Sequence, residues 1–357
     1  HDYFKHPDWM IKYGKKYYYN PGLPGVQNHM VSVIEEVVAN YDIDAIHFDD
    51  YFYRYTIKDE VFNDSTSFLS NNPSRLSLEN WRRSNIDSLV KQTHKAIKQQ
   101  KPWVQFGISP FGVWKNKSTD PRGSDTKAGQ TTYEDLYADP LLWMEKGWID
   151  YLVPQIYWSL KLKVASHGVL LDWWAENYKN SNLYVGNGPY KVRNNSDKAW
   201  NKKKELPKQL RLARKTEAVR GNVFFSARSL MSGNKDIVNY IKKELYSYPS
   251  FTPASPLIVR EEQPLPELAT IEDKDNYLSI TFKFQDSSNT RFANVYAIKN
   301  PKKPPSCKPE NIIGQIFMDS SSSFNIGKGL IKQRKHIAVT FTDRFRKETE
   351  PIVILLN

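Results

Sequence analysis

Two adjacent carboxylates, Asp49 and Asp50, sit in the run IDAIHFDDYFYRY. They end a short apolar stretch and precede three aromatic residues, which an aspartate that merely caps a helix would not need. Paired carboxyl groups suit cleavage of a glycosidic bond, where one donates a proton and the other acts as nucleophile or base. Adjacent carboxylates also repel each other, which raises the pKa of one and lets it hold a proton. Asp49 and Asp50 are therefore the first catalytic candidates, and their types alone leave the two roles unassigned.

The surrounding text supplies residues that suit a sugar. His47 reads either as a metal ligand beside Asp49 or as a hydrogen-bonded histidine that orients it. His1, His6, His29, His94, His167 and His336 show no spacing typical of a metal set, so the second reading is taken and neither metal nor cofactor is expected. Tyr51 and Tyr53 follow the carboxylates as aromatic binding candidates. The long polar segment PFGVWKNKSTDPRGSDTKAGQTTYEDLYAD adds Trp114, whose ring can stack on a pyranose, and Arg122, whose forked donors grip carboxylates or hydroxyls. A further catalytic carboxylate is sought there, with Asp125 the choice and Asp120 the alternative. Gln155, Tyr157 and Trp158 offer an amide and aromatic walls, and Asn20 and Arg228 complete the substrate-binding set. No Ser/His/Asp triad spacing, phosphate loop or GxGxxG element competes.

These side chains need elements to aim them. Val26, Met30, Val33, Ile34, Val37 and Val38 recur at helical spacing after Pro24, and a second helical pattern covers 78–100. A third helix is read around 133–146, and the segment KKYYYNPGLPG is read as a loop feeding the first helix. Between them lie IDAIHFDD, WVQFGISPFG, IDYLVPQIYW, NLYVGNGPY and NVFFSARSL, all strand-like. Strands alternating with helices imply a parallel sheet with crossover helices.

Parity within these strands sorts the faces. Ile46 and Phe48 oppose Ala45, His47 and Asp49. Val104, Phe106 and Ile108 oppose Gln105, Gly107 and Ser109. Leu152 and Ile156 oppose Val153, Gln155 and Tyr157, and Val223 and Phe225 oppose Phe224, Ser226 and Arg228. One face suits packing under helices and the other turns small or polar toward the strand ends, as the mouth of a (β/α)8 TIM-type barrel requires. Five strands fall about three short of such a barrel, so the first strands are expected to be missing from this chain.

After about residue 250 the texture changes. A Pro-rich stretch precedes NYLSITFKF, RFANVYAI, HIAVTFTDRF and PIVILL, which are β-rich with no helix pattern between them. The expected organisation is an α/β barrel domain over 1–250 and a small all-β sandwich of immunoglobulin or fibronectin type over 251–357.

The net charge of +12 raises the question of nucleic acid, but much of the excess is local: eleven basic residues face three acids between Lys191 and Arg220. That is a basic helical stretch rather than a groove with interleaved aromatics, so no nucleic-acid partner is expected, while association with an anionic envelope surface stays open. The single cysteine, Cys307, excludes a disulfide framework within the chain. No run approaches the roughly 20 apolar residues of a membrane span, and the opening HDYFKHPDWM reads as a mature or truncated product without a signal peptide.

The runs HPDWMIKYGKKYYYNPGLPGVQ, YDIDAIHFDDYFY, FGISPFGVWKN, DPRGSDTKAGQTTYEDLYAD, GWIDYLVPQIYW and GNVFFSA resemble the bacterial glycosyl-hydrolase-like family 10 of envelope proteins. The family's FDDY motif maps onto Phe48, Asp49, Asp50 and Tyr51. The resemblance implies a (β/α)8 barrel whose first three strands lie upstream of His1, and a fibronectin-like module behind it. It also implies a secreted protein or a periplasmic or outer-membrane lipoprotein. The implied substrate is an envelope or other amino-sugar glycan, such as peptidoglycan strands. Two other readings remain at this stage: a non-catalytic carbohydrate-binding barrel, and a metal-dependent polysaccharide deacetylase built on His47 and Asp49.

Overall fold

A computed structural model describes residues 1–231, 233–258, 264–287, 290–300, 307–318, 321–331 and 336–356. The chain divides into two compact units, His1–Ile241 and Lys242–Asn357.

After a short helix Asp2–Lys5, the first unit forms a hairpin where a loop is expected: β1 (Met10–Tyr13) pairs antiparallel with β2 (Lys16–Tyr19). Gly14, at a φ of 57° that side chains with a Cβ disfavour, turns the chain between them. The helix Pro24–Asn40 then starts with proline in its first turn, where a missing N–H costs nothing. Five parallel strands follow, β3 (Ala45–Phe48), β4 (Gln105–Ile108), β5 (Tyr151–Leu152), β6 (Asn182–Asn187) and β7 (Val219–Phe224), side by side in chain order. The described residues form a five-stranded parallel sheet with β3 and β7 at its edges, built from the five strands that the sequence shows.

Crossover helices cover one face. Ser77 caps the helix Leu78–Gln100 by accepting from the Asn80 N–H, and Ser166 caps His167–Asn177 through Val169. The third helix is shorter than expected, Pro140–Glu145, because Asp139 caps it and proline is tolerated in the first turn but not inside. The helix Glu205–Lys215 turns Leu206, Leu210 and Ala213 inward and leaves Lys208, Arg214 and Lys215 exposed, so these cations lie on a solvated face. Phe106, Ile108, Leu152 and Ile156 meet Ile86, Val90, Trp143 and Leu170 in one core. Each such side chain contributes about 1.5–3 kcal/mol by leaving water.

The second unit is all-β apart from short helical turns, one of them at Lys328–Ile331. Three strands, β8 (Glu267–Asp273), β9 (Tyr277–Lys283) and β12 (Ser323–Gly327), form one antiparallel sheet in the order β12-β9-β8. β10 (Thr290–Ile298), β11 (Ile312–Phe317), β13 (His336–Asp343) and β14 (Ile352–Leu355) form the other, in the order β11-β10-β13-β14. Ile280, Phe282 and Phe324 of the first pack with Val295, Val339 and Phe341 of the second. Period-2 alternation along β9 places Leu278, Ile280 and Phe282 inward, as the sequence predicts.

Candidate active site

β3 delivers its polar residues as parity requires. Ile46 and Phe48 pack on the helix-covered core, while His47 and Asp49 emerge on the opposite face. The parallel register sets His47 beside Gly107 of β4, and Gly107 in turn beside Tyr151 of β5. A Cβ built on Gly107 would lie 2.0 Å from Cζ of Tyr151, so a bare backbone is what lets that ring lie across the sheet. One ring nitrogen of His47 is hydrogen-bonded to the Tyr151 hydroxyl at 3.1 Å and the other to Ser109 Oγ at 3.0 Å. Burial pushes the His47 pKa down and so favours the neutral imidazole, while the charge of Asp49 opposes the shift. With both nitrogens engaged by hydroxyls, His47 supports the face rather than offering itself as a ligand.

Asp49 is exposed on this face. Its Oδ1 accepts from Nε2 of Gln155 at 2.6 Å and from the Asp50 N–H at 2.8 Å. Gln155 is itself held, since the same Nε2 donates to the Ser109 carbonyl at 2.8 Å. Asp50 is buried, with its carboxylate accepting from the Tyr55 hydroxyl. Burial raises the Asp50 pKa to about 6, the Tyr55 hydrogen bond partly offsets this, and the neighbouring Asp49 charge adds to it. The two carboxyls are thus differentiated: Asp49 faces outward on an amide, and Asp50 is the one able to keep a proton near neutrality.

An aromatic band borders the pair. Tyr55 meets Phe111 edge to face, Phe111 meets Trp158, and Tyr157 lies parallel to Phe225 and edge-on to Tyr190. The Tyr157 hydroxyl is pushed up by burial first and then by the negative charge of Asp49. Phe225 corrects the parity read for the last strand. A register shift in the β6–β7 pairing sets Val223 beside Gly186, and Phe225 follows on the side of Tyr157 rather than under the helices.

The remaining candidates make other contacts. Tyr53 is in the core, where its hydroxyl accepts from Asn85 and its ring packs on Phe62 and Tyr137. Trp114 is also buried, stacked on Trp173 with its indole N–H donating to Asp139. Arg122 makes two side-chain hydrogen bonds to Asp120, at 3.0 and 2.7 Å, and lies over the Trp114 ring. Lys115 adds a second cation to Asp120 at 3.0 Å. Asp125 is exposed between the buried Ser124 and Thr126, and among the described residues no hydrogen bond joins it to Asp49 or Asp50. Asn20 organises a turn by accepting from Gly22 and donating to Ser67. Tyr51 is exposed under the guanidinium of Arg54, and Arg228 is exposed on the short helix Ala227–Met231. Tyr55, Ser109, Tyr151 and Phe111 belong to the site without having been singled out. Two of them carried a signal, Tyr55 as the last aromatic of YFYRY and Ser109 by strand parity.

Carboxylates, an amide and aromatic rings gathered at the C-terminal ends of parallel strands define a mixed α/β domain of the glycoside-hydrolase type. The chain belongs to the Glycosyl hydrolase-like 10 family, which it matches over residues 1–202. It is 38% identical to the glycosyl hydrolase YngK of Bacillus subtilis over 97% of this chain and 68% of that one. It is also 38% identical to the glycosyl hydrolase DigH of Escherichia coli K12, over 62% of this chain and 52% of DigH. The chain therefore spans about half of DigH's length. Among solved structures it aligns with a Bacteroides uniformis β-glucuronidase at 10% identity and a TM-score of 0.37, over 95% of this chain and 38% of that one, below the level from which a shared fold follows.

Proposed function

We propose that this protein hydrolyses glycosidic bonds in a bacterial envelope or other amino-sugar glycan, with peptidoglycan strands the first substrate to try. The observation that carries the proposal is the Asp49 carboxylate, set on the open polar face by Gln155 and bordered by aromatic rings. In this reading Asp49 is the nucleophile or base, or stabilises positive charge at the sugar's anomeric carbon in the transition state. Asp50, raised to about 6, is the carboxyl that can hold a proton while Asp49 is charged. Asp125 remains the proposed further carboxylate, to be tested alongside them. Gln155, Tyr157 and Trp158 would orient the sugar, and Tyr51 and Arg228 would act from the exposed rim.

The proposal includes the finer fold reading: the five parallel strands form part of a (β/α)8 barrel, and the all-β unit is a fibronectin-like accessory module. It also includes an exported protein, secreted or held at the envelope, which fractionation of cells producing the full-length protein would test. The decisive assay incubates the protein with peptide-free peptidoglycan strands and with glucan oligosaccharides and reads products by mass. Cleavage of the amino-sugar strands that disappears in Asp49→Asn supports the reading. Cleavage at wild-type rates in both Asp49→Asn and Asp50→Asn would overturn the assignment to this pair.

A further inference from the structure

The aromatic band contains a cation that the catalytic reading does not use. Lys191 follows Tyr190 in the 3-10 turn Pro189–Lys191, directly after β6. Its Nζ lies 5.9 Å from the ring centre of Trp158 and 5.8 Å from that of Tyr190. The side chain is half-buried, and among the described residues its ammonium makes no ion pair or hydrogen bond. Asp197 is the carboxylate near enough to influence it, but Asp197 is already committed, accepting from Ser159 Oγ at 2.5 Å and from the Ala199 N–H at 2.9 Å. Burial pushes the Lys191 pKa down, in keeping with an ammonium that has lost water without gaining a direct anionic partner.

The neighbours of Lys191 are suited to a sugar. Tyr190 and Phe225 are among the exposed aromatics, and both pack edge-on or parallel to Tyr157, which feels the charge of Asp49. Ring contacts thus lead from Tyr157 to Tyr190 and on to Lys191. Exposed ring faces take the C–H face of a pyranose, and an ammonium beside Tyr190 can take a negative group on the same unit.

We propose that Tyr190, Phe225 and Lys191 form a subsite for a sugar bearing a carboxylate, with Lys191 the residue that selects for the charge. This deepens the glycosidase reading and rests on it for the direction of the glycan. The ammonium would pair with the sugar carboxylate while the rings hold the pyranose. A neutral glycan would occupy the same rings and leave the cation without an anion, so discrimination arises at Lys191 rather than at Asp49.

The test reads binding separately from cleavage. Peptide-free peptidoglycan oligosaccharides are compared with the same material after its carboxyl groups have been reduced to alcohols. Titration calorimetry is run on the Asp49→Asn background, so that no ligand is consumed. The expected result is about tenfold tighter binding of the carboxylated ligand, the size of one charge-assisted hydrogen bond. Adding Lys191→Met, which keeps most of the stem, brings the ratio to about one, and Lys191→Arg restores most of it. Unchanged far-UV circular dichroism shows that the variants are folded. A ratio that stays the same in Lys191→Met, or a ratio near one before the substitution, overturns the proposal. If the native protein yields no products while the binding ratio behaves as expected, the hydrolase reading fails and the subsite stands.

Discussion

The end of β3 and the polar loop after β4 both offer aspartates beside aromatic rings, and the chain treats them in opposite ways. In the loop, Asp120 is held by the Arg122 side chain and backbone N–H and by Lys115, which keep its carboxyl well below the usual carboxylate range. At the end of β3, Asp50 has burial and a neighbouring carboxylate but, among the described residues, no ion pair with a cation, and its pKa rises to about 6. A carboxylate clamped by a guanidinium is spent on structure. One that faces only an amide or a phenol keeps its charge or its proton available for chemistry. The contrast explains why composition misleads at Asp120: two neighbouring cations neutralise it.

Four substitutions would break or sharpen this contrast. Asp49→Asn is expected to lower kcat by on the order of 10^3-fold, read as product mass against time. Gln155→Ala removes the amide from Asp49 and is expected to lower kcat/KM by about 10–100-fold, the range for a hydrogen bond to a charged group. Asp50→Asn is expected to show its effect as a pH dependence of stability. Because the folded-state pKa of Asp50 lies above the ordinary aspartate value, its neutral form favours the fold at low pH. That contribution is lost as pH rises through about 6. Denaturant unfolding should therefore show the variant gaining on the native protein between pH 4 and 7 and levelling off above. Asp120→Asn is expected to change kcat by less than about threefold, within the range of an electrostatic pair outside the site. Its effect should appear instead as faster proteolysis of the 111–139 loop. A larger kcat loss for Asp120→Asn than for Gln155→Ala would reverse the comparison.

How far the sequence showed this depends on periodicity. Strands impose a period of two, so the sorting of Ile46 and Phe48 from His47 and Asp49 could be read directly, as could Ser109 and Gln155 on the neighbouring strands. β7 broke that reading because a register shift is not encoded in alternation, and Phe225 therefore joined the wrong face. Loops have no period at all. Tyr55 reaches Asp50, and Trp114 turns into the core against Trp173, through tertiary contacts that local residue types do not specify. The aromatic richness of the chain was visible, but which rings would be walls and which would be core was not. Tyr53 and Tyr51 stand two residues apart, one buried and one exposed.

Gly107 has a consequence that reaches beyond its own strand. A single methyl group there would meet the Tyr151 ring. Moving that ring moves the hydroxyl that holds His47, and His47 shares Ser109 with the amide that steadies Asp49. The position acts as a mechanical tolerance: the aim of the carboxylate depends on an absent side chain five contacts away. Gly107→Ala would be an injury to alignment delivered without altering any group that carries charge.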